Sequence, residues 1–229
     1  MTRNFESVEV RWYGHASVKF EDSNGFTVYV DPWTEVMNEP ENEEKADVIV
    51  STHEHFDHFD EKAINAVRNR DTTVLSPEET VENVPDQLET HVLRPEETVE
   101  VEDRVFTGVE AYNTENYREP DEVFHPRGLC TGVVFELDGV TFYHASDTDP
   151  IEEMKELQDK NIDVAFLPVG GHYTMNQDEA LEAIKMIKPE KVVPIHYGYI
   201  DETTAETGRF EKDVKEKTDA EPVVMNPRP

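Results

Sequence analysis

The 229-residue chain is predicted to be an α/β protein, one domain spanning residues 1–229, in which two sheets pack face to face with helices outside. Three observations predict this. Strand-like runs come first, as a meander. Strands and helices then alternate through the second half. No Gly/Ser stretch, low-complexity tract or repeat at solenoid spacing divides the two parts. The length is ample to bury a core.

In chain order, short apolar and β-branched runs predict strands at Val8 to Tyr13, Val18 to Glu21, Phe26 to Asp31 and Asp47 to Thr52. The segment Asp60 to Val67 reads as a helix with acids in its first turn, where they complement the positive helix end. The turn signal Asp138-Gly139 separates strands Thr131 to Leu137 and Val140 to His144. A helix at Ile151 to Gln158, a strand at Asp163 to Val169, a helix at Gln177 to Ile187 and a strand at Lys191 to His196 complete the alternation. The longest breaks, Asn38 to Lys45 and Asn113 to Arg127, are both expected to border a cleft.

The most specific local signal is His53-Glu54-His55-Phe56-Asp57-His58, which concentrates three of the nine histidines in six positions. It lies between the buried-strand run Val48-Ile49-Val50 and the helix, so it is a strand-to-helix loop. There His53 and His55, two apart, can face one metal, while Asp57 and His58, shifted in phase, face a second. Imidazole and carboxylate ligands suit zinc first, with manganese or iron also compatible, because no thiolate enforces a choice. Asp147 sits just beyond the strand Val140 to His144, and Val192-Val193-Pro194-Ile195 delivers His196 to another strand end. Rigid strand ends followed by variable loops are where such folds gather ligands.

Other residues serve such a site without holding metal. Asp31, ending an apolar strand, can accept a hydrogen bond from a ligand imidazole, although a turn aspartate before Pro32 fits as well. His15, after Gly14, is expected to point into the cleft as a proton donor or substrate contact, or else to occupy a surface turn. In Gly170-Gly171-His172 the paired glycines allow close approach to a ligand, which makes His172 a second substrate-contact candidate. Arg118 and Arg127 are the nearby cations for gripping an anion, and Arg127 is taken as a substrate contact. His91 and His144 read as structural.

These motifs resemble the metallo-beta-lactamase superfamily, whose members carry His-x-His-x-Asp-His in such a loop. The resemblance covers most of the chain: Tyr29-Val30-Asp31-Pro32-Trp33, the segment Tyr143 to Asp149 with its bridging aspartate at Asp147, and Pro194-Ile195-His196-Tyr197-Gly198. Ser146 stands where glycine is more usual. The opening Trp12-Tyr13-Gly14-His15-Ala16-Ser17 looks most like the small lactonase-like and phosphodiesterase-like hydrolases. The resemblance implies a four-layer αβ/βα sandwich and two metals sharing Asp147. It further implies hydrolysis of a small ester, lactone or phosphodiester by a metal-held hydroxide, with Asp57 also able to act as proton acceptor. One departure is that Asn113 stands where the third histidine of the first metal is expected. His125, twelve residues on, is the expected replacement, with Asn113 beside the ligands. Two alternatives are an iron-dependent redox enzyme of the same fold, against which His55 counts because the flavodiiron pattern has glutamate there, and a non-catalytic metal-binding protein.

Fifty-two acids against twenty-one bases give a formal charge of −31. Phosphate binding needs clustered Lys and Arg, so nucleic acid is excluded as the expected partner in favour of a small-molecule substrate. Spread over loops and helix faces, the acids suit high salt, where screening removes self-repulsion. Homo-oligomerisation stays open. Cys130 is the only cysteine, which suits a reducing cytoplasm. Residues 1–6 lack an apolar signal region and no stretch approaches 18 apolar residues, so neither secretion nor membrane spanning is expected.

Overall fold

Alternation of burial along the strands builds the molecule. In the computed structural model, residues 2–85 and 87–226 are described. The first sheet has seven strands in sequence order: β1 (Thr2–Phe5), β2 (Val8–Gly14), β3 (Ser17–Glu21), β4 (Thr27–Val30), β5 (Ala46–Val50), β6 (Arg68–Ser76) and β7 (Glu89–Val92). It is antiparallel through β4 and parallel from β4 to β7. Helix α1 (Glu61–Val67) joins β5 to β6, and a short helix α2 (Glu78–Val81) follows β6.

Strands β8 (Thr98–Val101) and β9 (Arg104–Ala111) open the second sheet, and a separate two-stranded ribbon follows, β10 (Tyr117–Glu119) with β11 (Glu122–Val123). Then come β12 (Cys130–Leu137), β13 (Val140–His144), β14 (Val164–Pro168), β15 (Lys191–Ile195) and β16 (Glu221–Pro222), in the sheet order β16-β15-β14-β13-β12-β9-β8. Helix α3 (Gln177–Ile187) links β14 to β15, and α4 (Thr207–Lys217) links β15 to β16.

Period-two side-chain alternation assigns each strand residue to a layer. Val48 and Val50 of β5, with Val164 and Phe166 of β14, face the core between the sheets, where the Phe20 ring meets Phe135, Phe142 and Phe166 at 5.0–5.3 Å. Ile49 faces outward onto Ala63, Ile64 and Val67 of α1. Ala165 and Leu167 face outward onto α3 and Phe210 and Val214 of α4. Helix, sheet, sheet and helix make the four-layer sandwich.

Two expectations change. The predicted helix at Ile151 to Gln158 is a 3₁₀ run at Glu152–Lys160. Its buried residues Met154 and Leu157, with the capping Ile151 before them, recur every three positions, which aligns them on one face at three residues per turn. The acidic loop Asn38 to Lys45 does not line the cleft. Arg11 and Lys19, on the helix-bearing face of the first sheet, draw Glu43 and Glu44 across that face at 2.6 and 2.9 Å. Among the described residues no helix is long and apolar enough to cross a membrane.

Candidate metal centre

The parallel strands of both sheets deliver their C-terminal ends to one edge, and the predicted ligand residues meet there. The hexapeptide after β5 is pinned at both ends. Asp31 accepts hydrogen bonds from the Thr52 backbone N–H and hydroxyl, each at 2.8 Å, while Asp60 caps α1 by accepting from Lys62 and Ala63 N–H. Turns at this edge use left-handed backbone in non-glycine residues: His15, Asp31, Ser146 and His196 have φ of 49°, 49°, 61° and 57°. That conformation explains the resemblance to a glycine position at Ser146, and such strain concentrates where surrounding structure imposes a function.

Two donor clusters form around Asp147. On one side His53 Nε2 and His55 Nδ1 lie 3.0 Å apart, His55 Nδ1 and His125 Nε2 3.2 Å, and His125 Nε2 lies 3.3 Å from Asp147 Oδ2. On the other, Asp147 Oδ1 lies 3.4 Å from His58 Nε2 and 3.2 Å from His196 Nε2, and Asp57 Oδ2 lies 3.4 and 3.9 Å from the same two nitrogens. His55 is half-buried; the rest are buried.

The outward ring nitrogens fix the inward ones. Asp31 Oδ2 can only accept, so His58 Nδ1 donates to it at 2.7 Å, which turns Nε2 toward the centre. Asn113 Oδ1 likewise accepts from His125 Nδ1 at 2.8 Å and from the His125 backbone N–H at 2.9 Å. Hydrogen-bonded orienters of this kind set tautomer and ring angle in metal sites. Behind them Asp149, which the sequence reading passed over, gathers the N–H groups of Thr114, Glu115 and Asn116 and the Asn113 amide, and so holds the loop that carries Asn113.

Electrostatics match this arrangement. Burial, then the neighbouring His58, hold His53 well below the ordinary histidine range. Burial brings His125 down to about 4 despite Asp147. Both are neutral imidazoles with free lone pairs at neutral pH. For His58 burial opposes a charge, but Asp147, Asp57 and Asp31 outweigh it and raise its pKa far above the usual value. Burial would likewise raise Asp147 and Asp57, but the surrounding imidazoles keep both carboxylates ionised. The centre is therefore a carboxylate field that draws positive charge.

Donors around an ion held at ~2.1 Å in a tetrahedron lie about 3.4 Å apart. Most spacings within the two clusters, 3.0–3.4 Å, fit that figure, and Asp57 Oδ2 to His196 Nε2 is wider at 3.9 Å. His58 Nε2, Asp147 Oδ1 and His196 Nε2 are also buried without a hydrogen-bond partner, a costly arrangement that a cation resolves.

A family model described as a beta-lactamase superfamily domain matches residues 9–196. A UPF0173 metal-dependent hydrolase of Thermococcus onnurineus (strain NA1) is 33% identical over 230 residues, 96% of this chain and 97% of that protein. The chain belongs to the UPF0173 metal-dependent hydrolase family of the metallo-beta-lactamase superfamily. A crystal structure from Parabacteroides distasonis ATCC 8503 shares the fold at a TM-score of 0.87 and 31% identity, covering 100% of this chain and 99% of its own. The diiron beta-hydroxylase CmlA from Streptomyces venezuelae matches at 0.71 and 14% identity, over 99% of this chain and 54% of that one, which is a likeness of fold alone.

The hydrolase has a pocket of about 410 Å³ above the centre, floored by His55, Asp57, His125, Asp147 and His196. Its walls include Phe56, Phe124, Tyr173, Ile200 and Arg118. The expected substrate contacts fall elsewhere. His15 is fully buried, its ring tilted against His196 with centres 3.8 Å apart and Nε2 2.7 Å from Asp57 Oδ2, because its left-handed backbone turns the ring away from the pocket. His172 is exposed at φ 63° and packs on Phe124 and Tyr173 without lining the pocket; Tyr173, next in sequence, takes that place. Arg127 lies over a separate groove, bound to Glu110 and Glu153 at 2.8 and 2.7 Å, and Arg118 is the arginine at the pocket. His144 is buried and donates to the Ala16 carbonyl. Nothing in local sequence separates Arg118 from Arg127, since only the ribbon β10–β11 decides which one reaches the pocket.

Proposed function

We propose that this metal-dependent hydrolase is dinuclear and cleaves a small ester, lactone or phosphodiester. The observation that carries the reading is that the two oxygens of Asp147 face two separate donor clusters. His53, His55, His125 and Asp147 would hold one ion, and Asp57, His58, His196 and Asp147 the other, zinc first with manganese or iron compatible. When bound, such ions polarise a carbonyl or phosphoryl oxygen and lower the pKa of coordinated water toward ~7.

The chain's own groups complete the chemistry. Asp57, on the pocket floor, accepts a proton from the nucleophile while His15 Nε2 holds its Oδ2 at 2.7 Å. Asp31 and Asn113 keep His58 and His125 turned inward. The aromatic walls exclude bulk water and orient the substrate. We place the enzyme as a single domain in a salt-rich cytoplasm with a small-molecule substrate and no nucleic-acid partner. The formal charge of −31, the lone buried Cys130 and the pocket size support this placement.

Elemental analysis of protein purified in molar salt tests the reading, with 4-nitrophenyl ester and bis(4-nitrophenyl) phosphate turnover measured on the same samples. Two zinc or manganese ions per chain, one lost in His125→Ala, and turnover abolished by chelator and restored by metal are expected. A single ion unaffected by His125→Ala would remove the dinuclear reading, and iron with oxygen consumption would favour the oxidative one.

A further inference from the structure

The walls of the pocket are chemically one-sided. Phe56, between His55 and Asp57, is 67% exposed and is braced from behind by the edge of Trp33 at 5.9 Å. Phe124 is held by Tyr173 at 4.9 Å, ring edge to face. An exposed, rigidly braced phenyl on a surface crowded with acids is a cost that an apolar or aromatic ligand recovers by covering it.

Arg118 is the sole Lys or Arg among the described residues lining this pocket. It occupies the position where the β10–β11 register shifts between Tyr117 and Glu119, a bulge that re-aims a side chain out of the ladder. The base of the ribbon is fixed: Phe124 N–H donates to the Asn116 carbonyl at 3.0 Å, and Asn116 is bound to Asp149. The guanidinium stands 5.8 Å from the Phe124 ring centre, and its ion pair with Glu122 is long, 3.9 Å, and solvent-exposed, so it is weakly held. A planar donor fork beside an aromatic wall is suited to a carboxylate or phosphodiester oxygen pair. Away from the floor, where the ions would sit, the walls offer a second negative charge no further cation, and Glu54 opposes one.

We propose that the pocket selects a monoanion with a flat aromatic or apolar body, Arg118 taking the charge and Phe56, Phe124 and Tyr173 the body. This deepens the hydrolytic reading by naming its substrate class and rests on that reading only for the scissile bond.

Binding and turnover separate the two. The metal-loaded protein is titrated calorimetrically with 4-nitrobenzoate, acetate and 4-nitrobenzyl alcohol. 4-Nitrobenzoate is expected to bind about tenfold more tightly than either. Arg118→Gln should remove most of the advantage over the alcohol, as expected for one charge-assisted contact, while Arg127→Gln leaves it intact. Phe124→Ala should weaken both ring compounds and spare acetate. Unchanged 4-nitrobenzoate binding in Arg118→Gln, or acetate binding as tightly as 4-nitrobenzoate, overturns the assignment. In turnover, mono-4-nitrophenyl glutarate should exceed 4-nitrophenyl pentanoate about tenfold in kcat/KM, through KM, and Arg118→Gln should level them. If neither ester is cleaved while 4-nitrobenzoate binding still depends on Arg118, hydrolysis of small esters falls and the pocket assignment stands.

Discussion

Asn113 Oδ1 receives both the backbone N–H and the ring Nδ1–H of His125, at 2.9 and 2.8 Å. One amide thus sets the position and the tautomer of an imidazole twelve residues away. Its own NH₂ donates to Asp149 and to the Tyr173 carbonyl, which rules out the flipped amide. Asn113→Ala should therefore leave the fold and the ligand atoms in place yet weaken metal binding about 10- to 100-fold. Competition with a chromogenic chelator measures this, and Asn113→Asp should not recover the loss, because its second oxygen would face Asp149 and the Tyr173 carbonyl where the amide donates. Equal affinity in Asn113→Ala and wild type would mean that His125 needs no orienter.

Gly170 lies two residues past the end of β14, against the strand end that carries His196. A Cβ built there falls 2.1 Å from the His196 carbonyl oxygen and 2.9 Å from Thr203 Cβ. Neither neighbour is a flexible side-chain tip, so Gly170→Ala must displace the His196 backbone. A loss of about 2 kcal/mol in stability is expected from the overpacking, together with loss of metal at the His58–His196 side. Denaturant unfolding and metal analysis of the same preparation check the two effects.

Buried tyrosines set the alkaline limit. Burial raises Tyr13, with Tyr29 and Glu43 adding to the effect, raises Tyr29 despite its contact with Tyr13, and raises Tyr143 by itself. Tyr197 is pushed up to about 12, by burial first. A folded pKa above the unfolded value of ~10 means that the stability contribution is complete below pH ~10 and is lost as pH rises through the folded pKa. Unfolding free energy should fall above pH ~10 by about 1.4 kcal/mol per pH unit for each such tyrosine. Urea midpoints between pH 9 and 11 measure the slope, and Tyr143→Phe should reduce it by one proton's worth. A flat profile would contradict the burial of these hydroxyls.

The excess of 52 acids over 21 bases makes self-repulsion the main electrostatic cost of the folded state. Raising salt from 0.1 M to 1 M shortens the screening length from about 10 Å to about 3 Å. The thermal midpoint should therefore climb steadily over that interval in potassium chloride, and a midpoint indifferent to salt would remove the case for salt adaptation.

The local code of this chain was legible wherever a residue's role follows from its neighbours in sequence. Val48 to Val50 and Asp60 to Val67 bracket His53-x-His55-x-Asp57-His58, so the loop, its strand and its helix could be placed from periodicity and capping alone, and Asp60 is indeed the cap. Asp147 and His196 could be placed at strand ends for the same reason. Helix α4 and the ribbon β10–β11 went unread, because their apolar patterns are thin: only Phe210 and Val214 of α4 are buried, and no residue of the ribbon is. What tertiary structure alone decided were the relations between distant segments. Asn113 meets His125 because Asp149 gathers the loop between them. His15 lies against His196 rather than in the pocket because both turns adopt left-handed backbone. Arg118 rather than Arg127 faces the pocket because a ribbon bulge aims one while Glu110 and Glu153 hold the other. Side-chain type and spacing specify which chemistry is available, but the direction a side chain takes depends on backbone turns and partners that are distant in sequence.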